Sequence, residues 1–459
     1  MRKHGFSVIE VLLSIVILSL FVMATVGAVL YGEEGNALSG ARNRASALAV
    51  EGAEADRNIR DADFNALTVG TFGLTTAGNK WNLSGSSDLT DIFTRTQMIA
   101  TASGSDDERD VTSSAAWQQN LQRTGTISIF TRLTNWFRKF GNWAVPSQAA
   151  SVNLAGNQAG NKVAVSGHYA YVVRNGGAPN FAVIDVSNPS LPTLAASLTL
   201  TGIPLNIYIV GTHAYVSSTD NAQELQVIDI SNPLVPVQVG SFNVTVNANA
   251  NGVFAVDTTV YLVRQGNANN FVIINASNPA APTQTSILSL NGPLFEVVVM
   301  GNFAYVSSGD NASELQVINV SNPVSPVLTG TLNLAGNADA ITITGYQNPD
   351  TVFLGQNNGT LSIVDVTTPT APTLTSTFAA GNSINDVAFG VGSGYLFMAT
   401  SNGPSEFQVV DISTLTTPTL LGSLNLGNAI NGVVYDTVRD RAYAVGNDNA
   451  AEFIVFQPS

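Results

Sequence analysis

A long apolar stretch lies near the start of the chain and is followed by a pattern that suits one face of a helix. The run from Phe6 to Tyr31 is interrupted mainly by single Ser, Glu and Thr residues. As an α-helix it spans about 39 Å at ~1.5 Å per residue, which exceeds a hydrocarbon core of about 30 Å. Arg2 and Lys3 precede the run and indicate a cytoplasmic N-terminus. The pattern predicts a transmembrane helix.

Beyond the apolar run, small and apolar residues recur at steps of three and four as far as Ile59. Charged residues lie mostly off this stripe. The spacing predicts that one helix continues over residues 6–60, with a narrow apolar face that packs against a sheet. The positions are Leu38, Ala41, Ala45, Leu48, Gly52, Ala55 and Ile59.

The pattern changes to rough alternation after the helix, which is typical of β-strands. Strands are predicted over Asp91 to Ala102, Arg109 to Gln118 and Gly125 to Leu133, with Gly-, Ser- and Asp-rich turns between them. Residues 61–145 are therefore predicted to form a small mixed domain. The stretch from Gly141 to Ala150 has few charges and reads as a linker.

A repeat of about 45 residues fills the rest of the chain. Each copy contains four short β runs, and helices are excluded by the Pro content and the two-residue period. Four-stranded units of this length are typical of β-propeller blades. The anchors of the repeat are Phe181–Asp185, Leu225–Asp229, Phe271–Asn275, Leu315–Asn319, Leu361–Asp365 and Phe407–Asp411.

A shortened seventh copy, Phe453–Phe456, has no fourth strand after it. The missing strand is predicted at the other end of the domain, where Ser151–Gly156 matches Gly330–Gly336. Closure by this strand would remove two exposed sheet edges. It predicts a seven-bladed propeller over residues 146–459, with strand 151–156 in the last blade.

Composition agrees with a β-rich chain and narrows the possible partners. Charged residues are only 11% of 459, and the formal net charge is −14. From Pro146 onward there are 18 acidic and 5 basic residues. No basic stripe is available for phosphates, which argues against nucleic-acid binding. Without cysteine, disulfides and thiolate metal sites are excluded.

A carboxylate inside the apolar run carries the most specific local signal. Glu10 follows Gly5 and Phe6 at short spacing, and an unpaired charge there would cost several kcal/mol. The segment Gly5–Leu13, behind a basic leader of residues 1–5, resembles the N-terminus of type IV prepilins and pseudopilins.

That resemblance implies roles for three residues. A prepilin peptidase would cleave between Gly5 and Phe6, and Phe6 would be N-methylated. Glu10 would assist assembly by pairing with the terminal amine of a neighbouring pilin subunit. The expected location is the inner membrane before assembly, then the pilus or cell surface.

The repeat anchors are also similar to the LVIVD-repeat family of bacterial surface propellers, over about residues 150–459. This resemblance implies the fold and little about activity, because propellers host many unrelated functions.

Acidic hairpins between the second and third strands of three copies are candidate ligand or cation sites. Carboxylate oxygens suit Ca²⁺, although turns also favour Asp and Asn; no other cofactor is predicted. The face that carries these hairpins and the Asn- and Gly-rich loops between blades is the candidate ligand surface. The six candidate residues are Asp220, Glu224, Asp310, Glu314, Asp448 and Glu452.

The Asp or Asn that ends each third strand has a structural interpretation, because such side chains cap the following turn. No Ser-His-Asp, metalloprotease or phosphate-loop pattern occurs, so an enzyme is not predicted.

The predicted fold class is mainly β: a long N-terminal helix, a pilin-like α+β head and a seven-bladed propeller. The expected function is a minor pilin-like subunit that displays a binding or adhesion propeller to an unknown extracellular ligand. The alternatives are a pseudopilin of a secretion or DNA-uptake-like machine and a membrane-anchored surface enzyme. Convergence of ionisable groups in the central channel would favour the enzyme.

Overall fold

A computed structural model describes residues 8–78, 80–102, 108–120, 123–135, 140–334, 340–347 and 350–459. The chain divides into two compact units, an N-terminal unit over Met1–Lys139 and a C-terminal unit over Phe140–Ser459. The chain is mainly β with one long helix near its N-terminus, as the sequence predicts.

The N-terminal unit is a helix packed on an antiparallel sheet. Helix α1 covers Val8–Ala62 and a short 3-10 helix covers Phe64–Ala66. The sheet order is β2-β1-β4-β5-β6, with β3 paired to β4. Its strands are β1 Gly70–Ala77, β2 Lys80–Ser84, β3 Asp88–Thr90, β4 Phe93–Thr101, β5 Glu108–Asn120 and β6 Arg123–Thr134.

Small residues bring α1 close to this sheet. Ala45, Ala49 and Ala55 are fully buried, and a methyl group on Gly52 would lie 2.2 Å from the Ser113 hydroxyl. Ala45, Gly52 and Ala55 belong to the predicted stripe of three- and four-residue steps, whereas Ala49 lies beside it. In contrast, every residue from Ile15 to Val29 is exposed, so this part of the helix has no packing partner in the described residues.

The C-terminal unit consists of seven four-stranded antiparallel sheets, numbered 1 to 7 along the chain. In sheets 1 to 3 the strands are β8 Gly160–Ser166, β9 Tyr169–Arg174, β10 Phe181–Asp185 and β11 Thr193–Leu198; β12 Pro204–Val210, β13 His213–Ser218, β14 Leu225–Asp229 and β15 Val237–Phe242; and β16 Ala250–Val256, β17 Thr259–Arg264, β18 Phe271–Asn275 and β19 Thr283–Leu288.

Sheets 4 to 7 repeat the arrangement. Their strands are β20 Leu294–Met300, β21 Phe303–Ser308, β22 Leu315–Asn319 and β23 Val327–Leu332; β24 Ala340–Gln347, β25 Asp350–Gln356, β26 Thr360–Asp365 and β27 Thr373–Ala379; β28 Ile384–Gly390, β29 Tyr395–Thr400, β30 Phe407–Asp411 and β31 Thr419–Leu424; and β32 Ile430–Asp436, β33 Arg441–Gly446, β34 Phe453–Gln457 and β7 Ser147–Val152.

The inner strands of the seven sheets form a closed, propeller-like ring. Each first strand contacts the first strand of the next sheet, and β32 of sheet 7 contacts β8 of sheet 1. Every neighbouring pair of sheets encloses an apolar cluster. The core is therefore distributed between the sheets, and the innermost strands surround a central channel.

The strand that completes sheet 7 lies earlier than the sequence match suggests. It is β7, Ser147–Val152, which pairs antiparallel with β34, where the sequence predicts residues 151–156. The reason is that the matching segment, Gly330–Gly336, itself includes only the last three residues of β23. A strand from the start of the domain nevertheless completes the last sheet, as the sequence predicts.

The segment from Gly141 to Ala150 is not a linker. Trp143 is fully buried, with its ring centroid 4.8 Å from that of Phe397, and its indole N–H donates to Asp440 Oδ1 at 2.9 Å. Burial of so large an aromatic side chain anchors this segment in the C-terminal unit. The boundary accordingly falls after Lys139 rather than after residue 145.

The Asp or Asn at the end of each third strand caps the next turn, as predicted. In six sheets its Oδ1 accepts a hydrogen bond from the backbone N–H two residues later, at 2.8–3.0 Å. These residues are Asp185, Asp229, Asn275, Asn319, Asp365 and Asp411.

Candidate functional site

The acidic hairpins hold their Asp side chains within the turn. Asp220 Oδ1 and Asp448 Oδ1 each accept a backbone N–H two residues later at 2.9 Å, and Asp310 Oδ2 accepts the Ser313 hydroxyl at 2.5 Å. Such bonds are the ordinary role of Asp in a turn. They account for these three aspartates without a bound cation.

The glutamates of the same hairpins point into the protein. Glu224, Glu314 and Glu452 are almost completely buried. Each carboxylate accepts a backbone N–H just beyond an outer strand, from Val244 (3.0 Å), Leu334 (2.8 Å) and Leu154 (2.8 Å) respectively. In the described part of the chain, no group of three or more His, Cys, Asp and Glu side chains could hold a metal ion. Within the described residues, the candidate cation sites are therefore not supported by a group of converging acidic side chains.

Two of these glutamates form buried ion pairs with arginines of the next sheet. Arg264 Nη2 lies 3.3 Å from Glu224 Oε1, and Arg174 Nη2 lies 3.5 Å from Glu452 Oε1. Burial lowers the pKa of both arginines and raises the pKa of Glu224. The second pair joins sheet 7 to sheet 1 and so spans the closure of the ring.

Asparagines on the candidate ligand surface connect neighbouring inner strands. The amides of Asn161, Asn251, Asn385 and Asn431 donate to a carbonyl at the start of the next sheet's first strand, at 2.7–2.8 Å. Asn251 belongs to the Asn-rich segment Val246–Gly252, whose last three residues lie in strand β16. These four asparagines thus have a structural role, because they connect neighbouring inner strands. In the other Asn-rich loop, residues 335–339 lie outside the described residues.

The central channel gathers charged groups that are far apart in sequence. Each inner strand carries a register shift at its second residue, and such bulges redirect the side chains that follow. Lys162, Asn206, Glu296 and Asp386 occur at or next to this shift in sheets 1, 2, 4 and 6. All four line the channel.

Lys162 bridges the two carboxylates across the channel. Its ammonium group donates to Glu296 Oε1 and, at 2.7 Å, to Asp386 Oδ1. The Asn206 amide also donates to Glu296 Oε1, at 3.0 Å. Asp386 Oδ2 accepts the backbone N–H of Val433 at 2.8 Å. We call these four side chains, Lys162, Asn206, Glu296 and Asp386, the channel cluster.

Burial and mutual charge shift the pKa values of two members of the channel cluster, Asp386 and Lys162. Burial raises the pKa of Asp386 to about 6, even though Lys162 pulls it down. Burial alone would lower the pKa of Lys162, but the attraction of Asp386 and Glu296 raises it. Lys162 is also the only lysine after residue 139. The cluster therefore holds a permanent cation between two acids.

Aromatic side chains continue the wall two residues further along the inner strands. Tyr208 and Phe254 line the same cavity, with ring centroids 4.2 Å apart. The cavity has a volume of about 380 Å³, near the lower end of the range typical of small-molecule sites. Polar groups at one level and aromatic faces at the next are a common composition for a ligand pocket.

Replacement of Lys162 by Met is expected to destabilise the C-terminal unit by about 3 to 5 kcal/mol at pH 8, because two buried acids lose their cation. The loss should shrink below pH 6. Asp386 is protonated more readily in the folded than in the unfolded chain, so its contribution is fully present below about pH 4 and is lost as the pH rises through about 6. Chemical denaturation at pH 5 and pH 8 measures the difference.

Lys162→Arg is the matched control, since it keeps the positive charge and should lose much less stability than Lys162→Met. An equal loss at both pH values would contradict the electrostatic explanation and indicate lost packing instead.

No local pattern in the sequence distinguishes the residues of the channel cluster. Its members are 44 to 224 residues apart. Their equivalent positions can be recognised only when the first strands of the repeats are aligned with one another. The prepilin-type residues fall elsewhere: Gly5 and Phe6 lie outside the described residues, and Glu10 lies in α1. Within the described residues, α1 is long and apolar enough to cross a membrane, a test that a signal sequence would also satisfy.

Comparison with known proteins finds the LVIVD repeat five times in the C-terminal unit. The matches cover residues 158–199, 201–244, 292–333, 335–380 and 387–425, which correspond to sheets 1, 2, 4, 5 and 6. Sheets 3 and 7 have the same strand order without a match. The predicted repeat family is thus confirmed for five copies, and the repeat alone does not indicate a specific role.

Among solved structures, the crystal structure of the computationally designed Ika8 protein is similar to this chain. The similarity has 10% sequence identity and a TM-score of 0.49, and it covers 68% of this chain and 99% of the designed protein. No curated protein matches the sequence at a significant level.

Proposed function

We propose that this chain is a type IV pilin-like subunit that is anchored by α1 and displays a seven-bladed β-propeller at the cell surface for binding. The observation that carries the proposal is the division of α1 into two halves. The exposed residues 15–29 suit lipid or neighbouring helices, whereas Ala45, Ala49 and Ile59 pack against the N-terminal sheet.

The continuous 55-residue helix supports this proposal because its length exceeds what a membrane span requires. A simple anchor would need only about 20 residues. The remaining turns serve as the spine of a compact head, with Gly52 in close contact with strand β5. One element then combines a membrane segment and a head, as filament subunits require.

The seven-sheet arrangement supports the propeller part of the proposal. The inner strands contact one another around the ring, and β7 completes the last sheet. Pairing the two ends of the domain removes free sheet edges. A rigid closed ring of this kind is suited to present loops and a central channel to a ligand.

A pseudopilin of a secretion or uptake machine would have the same division of α1, so it remains the closest alternative. The surface enzyme is favoured by one observation, the convergence of Lys162, Glu296 and Asp386 in the channel. Because Lys162 bonds both carboxylates, the arrangement suits the holding of a ligand better than proton transfer between the acids.

Glu10→Ala tests the assembly role. In cells that carry a type IV pilus or a related machine, the variant is expected to remain in the membrane but to be lost from the sheared filament fraction by at least tenfold. An unpaired acid in a lipid-facing helix needs a partner, and the free amine of a processed neighbour would supply it. Immunoblots of both fractions give the measurement.

Glu33→Ala is the matched control, since this acid lies on the same helix beyond the apolar run. It should leave incorporation unchanged. If Glu10→Ala were incorporated as well as the wild-type chain, the assembly role would be wrong.

A further inference from the structure

The channel cluster combines hydrogen-bond donors and an acceptor at the edge of one cavity. Lys162 and the Asn206 amide are donors, and the Glu296 carboxylate accepts from both. Their side chains are not sealed off: Lys162 keeps 16% and Glu296 13% of its side-chain surface exposed, against 3% for Asp386. Asp386 is thus the least accessible of these charged groups, whereas a ligand in the channel can reach Lys162 and Glu296.

This arrangement matches the chemistry of a hydroxyl group, which donates one hydrogen bond and accepts others. A pair of neighbouring hydroxyls can donate to Glu296 and accept from Lys162 and Asn206 at the same time. Bonds of this kind to charged groups are about twice as strong as neutral ones. A polyhydroxylated ligand can therefore form hydrogen bonds with all three side chains at once.

The aromatic wall supplies the complementary apolar contact. Tyr208 and Phe254 lie two residues beyond Asn206 and Gly252 on adjacent strands, and both line the cavity. An aromatic face can cover the C–H surface of a sugar ring, while the polar cluster binds its hydroxyls. The volume of about 380 Å³ is suited to one or two such rings.

Charge disfavours two other classes of ligand, anions and small cations. From residue 146 onward the chain carries 18 acidic and 5 basic residues, which produces a potential that repels anions. A small cation is disfavoured for a different reason, since Lys162 already occupies the position between Glu296 and Asp386. The ligand class that remains is neutral and rich in hydroxyls.

We propose that the channel cluster and its aromatic wall form a binding site for a neutral mono- or disaccharide. The site rests on the binding role proposed for the C-terminal unit, but not on assembly of the chain into a filament. Failure of Glu10→Ala to affect assembly would leave this site untouched, and failure of sugar binding would leave the assembly role untouched.

Isothermal titration of the full chain tests the site, in a detergent without a sugar headgroup. The probes are neutral mono- and disaccharides of glucose, galactose, mannose and N-acetylglucosamine, with glucuronate and sialyllactose as anionic probes. At least one neutral sugar is expected to bind, and both anionic probes should bind at least tenfold more weakly than it. Glu296→Gln and Asn206→Ala should each weaken neutral-sugar binding at least tenfold.

Asp257→Asn is the matched control, because this exposed carboxylate lies in the β16–β17 turn, away from the channel cluster. It should leave binding unchanged. Asn206→Ala keeps all charges, so it remains informative if Glu296→Gln does not fold. Absence of binding by every neutral sugar, preference for an anionic probe, or full binding by the Asn206→Ala variant would overturn the proposal.

Discussion

Glu452→Gln is expected to lower the free energy of unfolding of the C-terminal unit by about 3 to 5 kcal/mol, because it leaves a buried arginine without its counter-charge. Arg174 is 1% exposed and its guanidinium also donates to the Ala155, Gly156 and Pro179 carbonyls. The guanidinium cannot lose its charge in a protein, so the cost falls on the folded state. Chemical denaturation of the full chain measures the effect.

The lost stability should affect the contact between sheets 7 and 1 that closes the ring, since Glu452 belongs to sheet 7 and Arg174 to sheet 1. Glu452 Oε2 also accepts the Leu154 N–H, next to the strand that completes sheet 7. Hydrogen exchange is therefore expected to increase first in β7 and β34, the pair formed from the two ends of the domain.

Glu224→Gln is the matched control, because it breaks the equivalent pair with Arg264 between two consecutive sheets. Its loss should be similar in size, but faster exchange should be confined to sheets 2 and 3. A second control, Arg174→Met with Glu452→Leu, should recover part of the loss because no buried charge is left unpaired. A Glu452→Gln variant within about 0.5 kcal/mol of the wild type would contradict this explanation.

Raising the pH from 4 to 8 is expected to lower the free energy of unfolding of the N-terminal unit by about 4 kcal/mol more in the wild type than in Asp56→Asn. Asp56 is fully buried on α1, and neither carboxylate oxygen has a hydrogen-bond partner. Burial raises its pKa to about 7, although Arg95 opposes the shift. The folded unit therefore favours the protonated acid.

The direction follows from the two protonation states. Below about pH 4 Asp56 is neutral in both the folded and the unfolded chain, so its stabilising contribution is fully present. Between about pH 4 and pH 7 the unfolded chain releases the proton first, and stability declines as the pH rises through the folded pKa. Asparagine cannot ionise, so the variant lacks this decline.

Hydrogen exchange of peptides from β4 to β6, corrected for intrinsic rates at each pH, measures the stability of this unit within the full chain. Asp61→Asn is a suitable control, since Asp61 is largely exposed and paired with Arg60. It should keep the wild-type pH dependence. Identical pH profiles for the wild type and Asp56→Asn would show that the buried carboxylate does not titrate in this range.

The repeat architecture could be predicted because local patterns recur. Anchors such as Phe181–Asp185 indicate a buried third strand. The Asp or Asn at the end of that strand caps the turn by accepting a backbone N–H only two residues away. Contacts this short in sequence depend on neighbouring residues alone. The third strands and their caps therefore agree with the prediction, and so does the position of long strands such as β5 and β6.

Contacts between residues far apart in the sequence could not be predicted. Glu224 and Asp220 look like one acidic turn in the sequence, but Glu224 directly precedes the buried strand β14 and pairs with Arg264 of the next sheet. The residues around Trp143 predict a linker, because its partners Phe397 and Asp440 are more than 250 residues away in the sequence. A single sequence does not reveal such partners.

The channel cluster shows the same limit at the candidate site. Each member is an ordinary polar residue within its own repeat, and only the closed ring brings Lys162 of sheet 1 to Glu296 of sheet 4 and Asp386 of sheet 6. Alignment of the first strands would have shown that these positions are equivalent, but not that one lysine reaches both acids.

Intact-mass and N-terminal analysis of the protein tests the pilin-like assignment most directly. The chain should be purified from cells that contain a prepilin peptidase and, in parallel, from cells that lack it. With the peptidase, the expected product lacks residues 1–5 and begins at a methylated Phe6; without it, the leader is retained. A chain that keeps Gly5 and its leader in both kinds of cell would contradict the assignment.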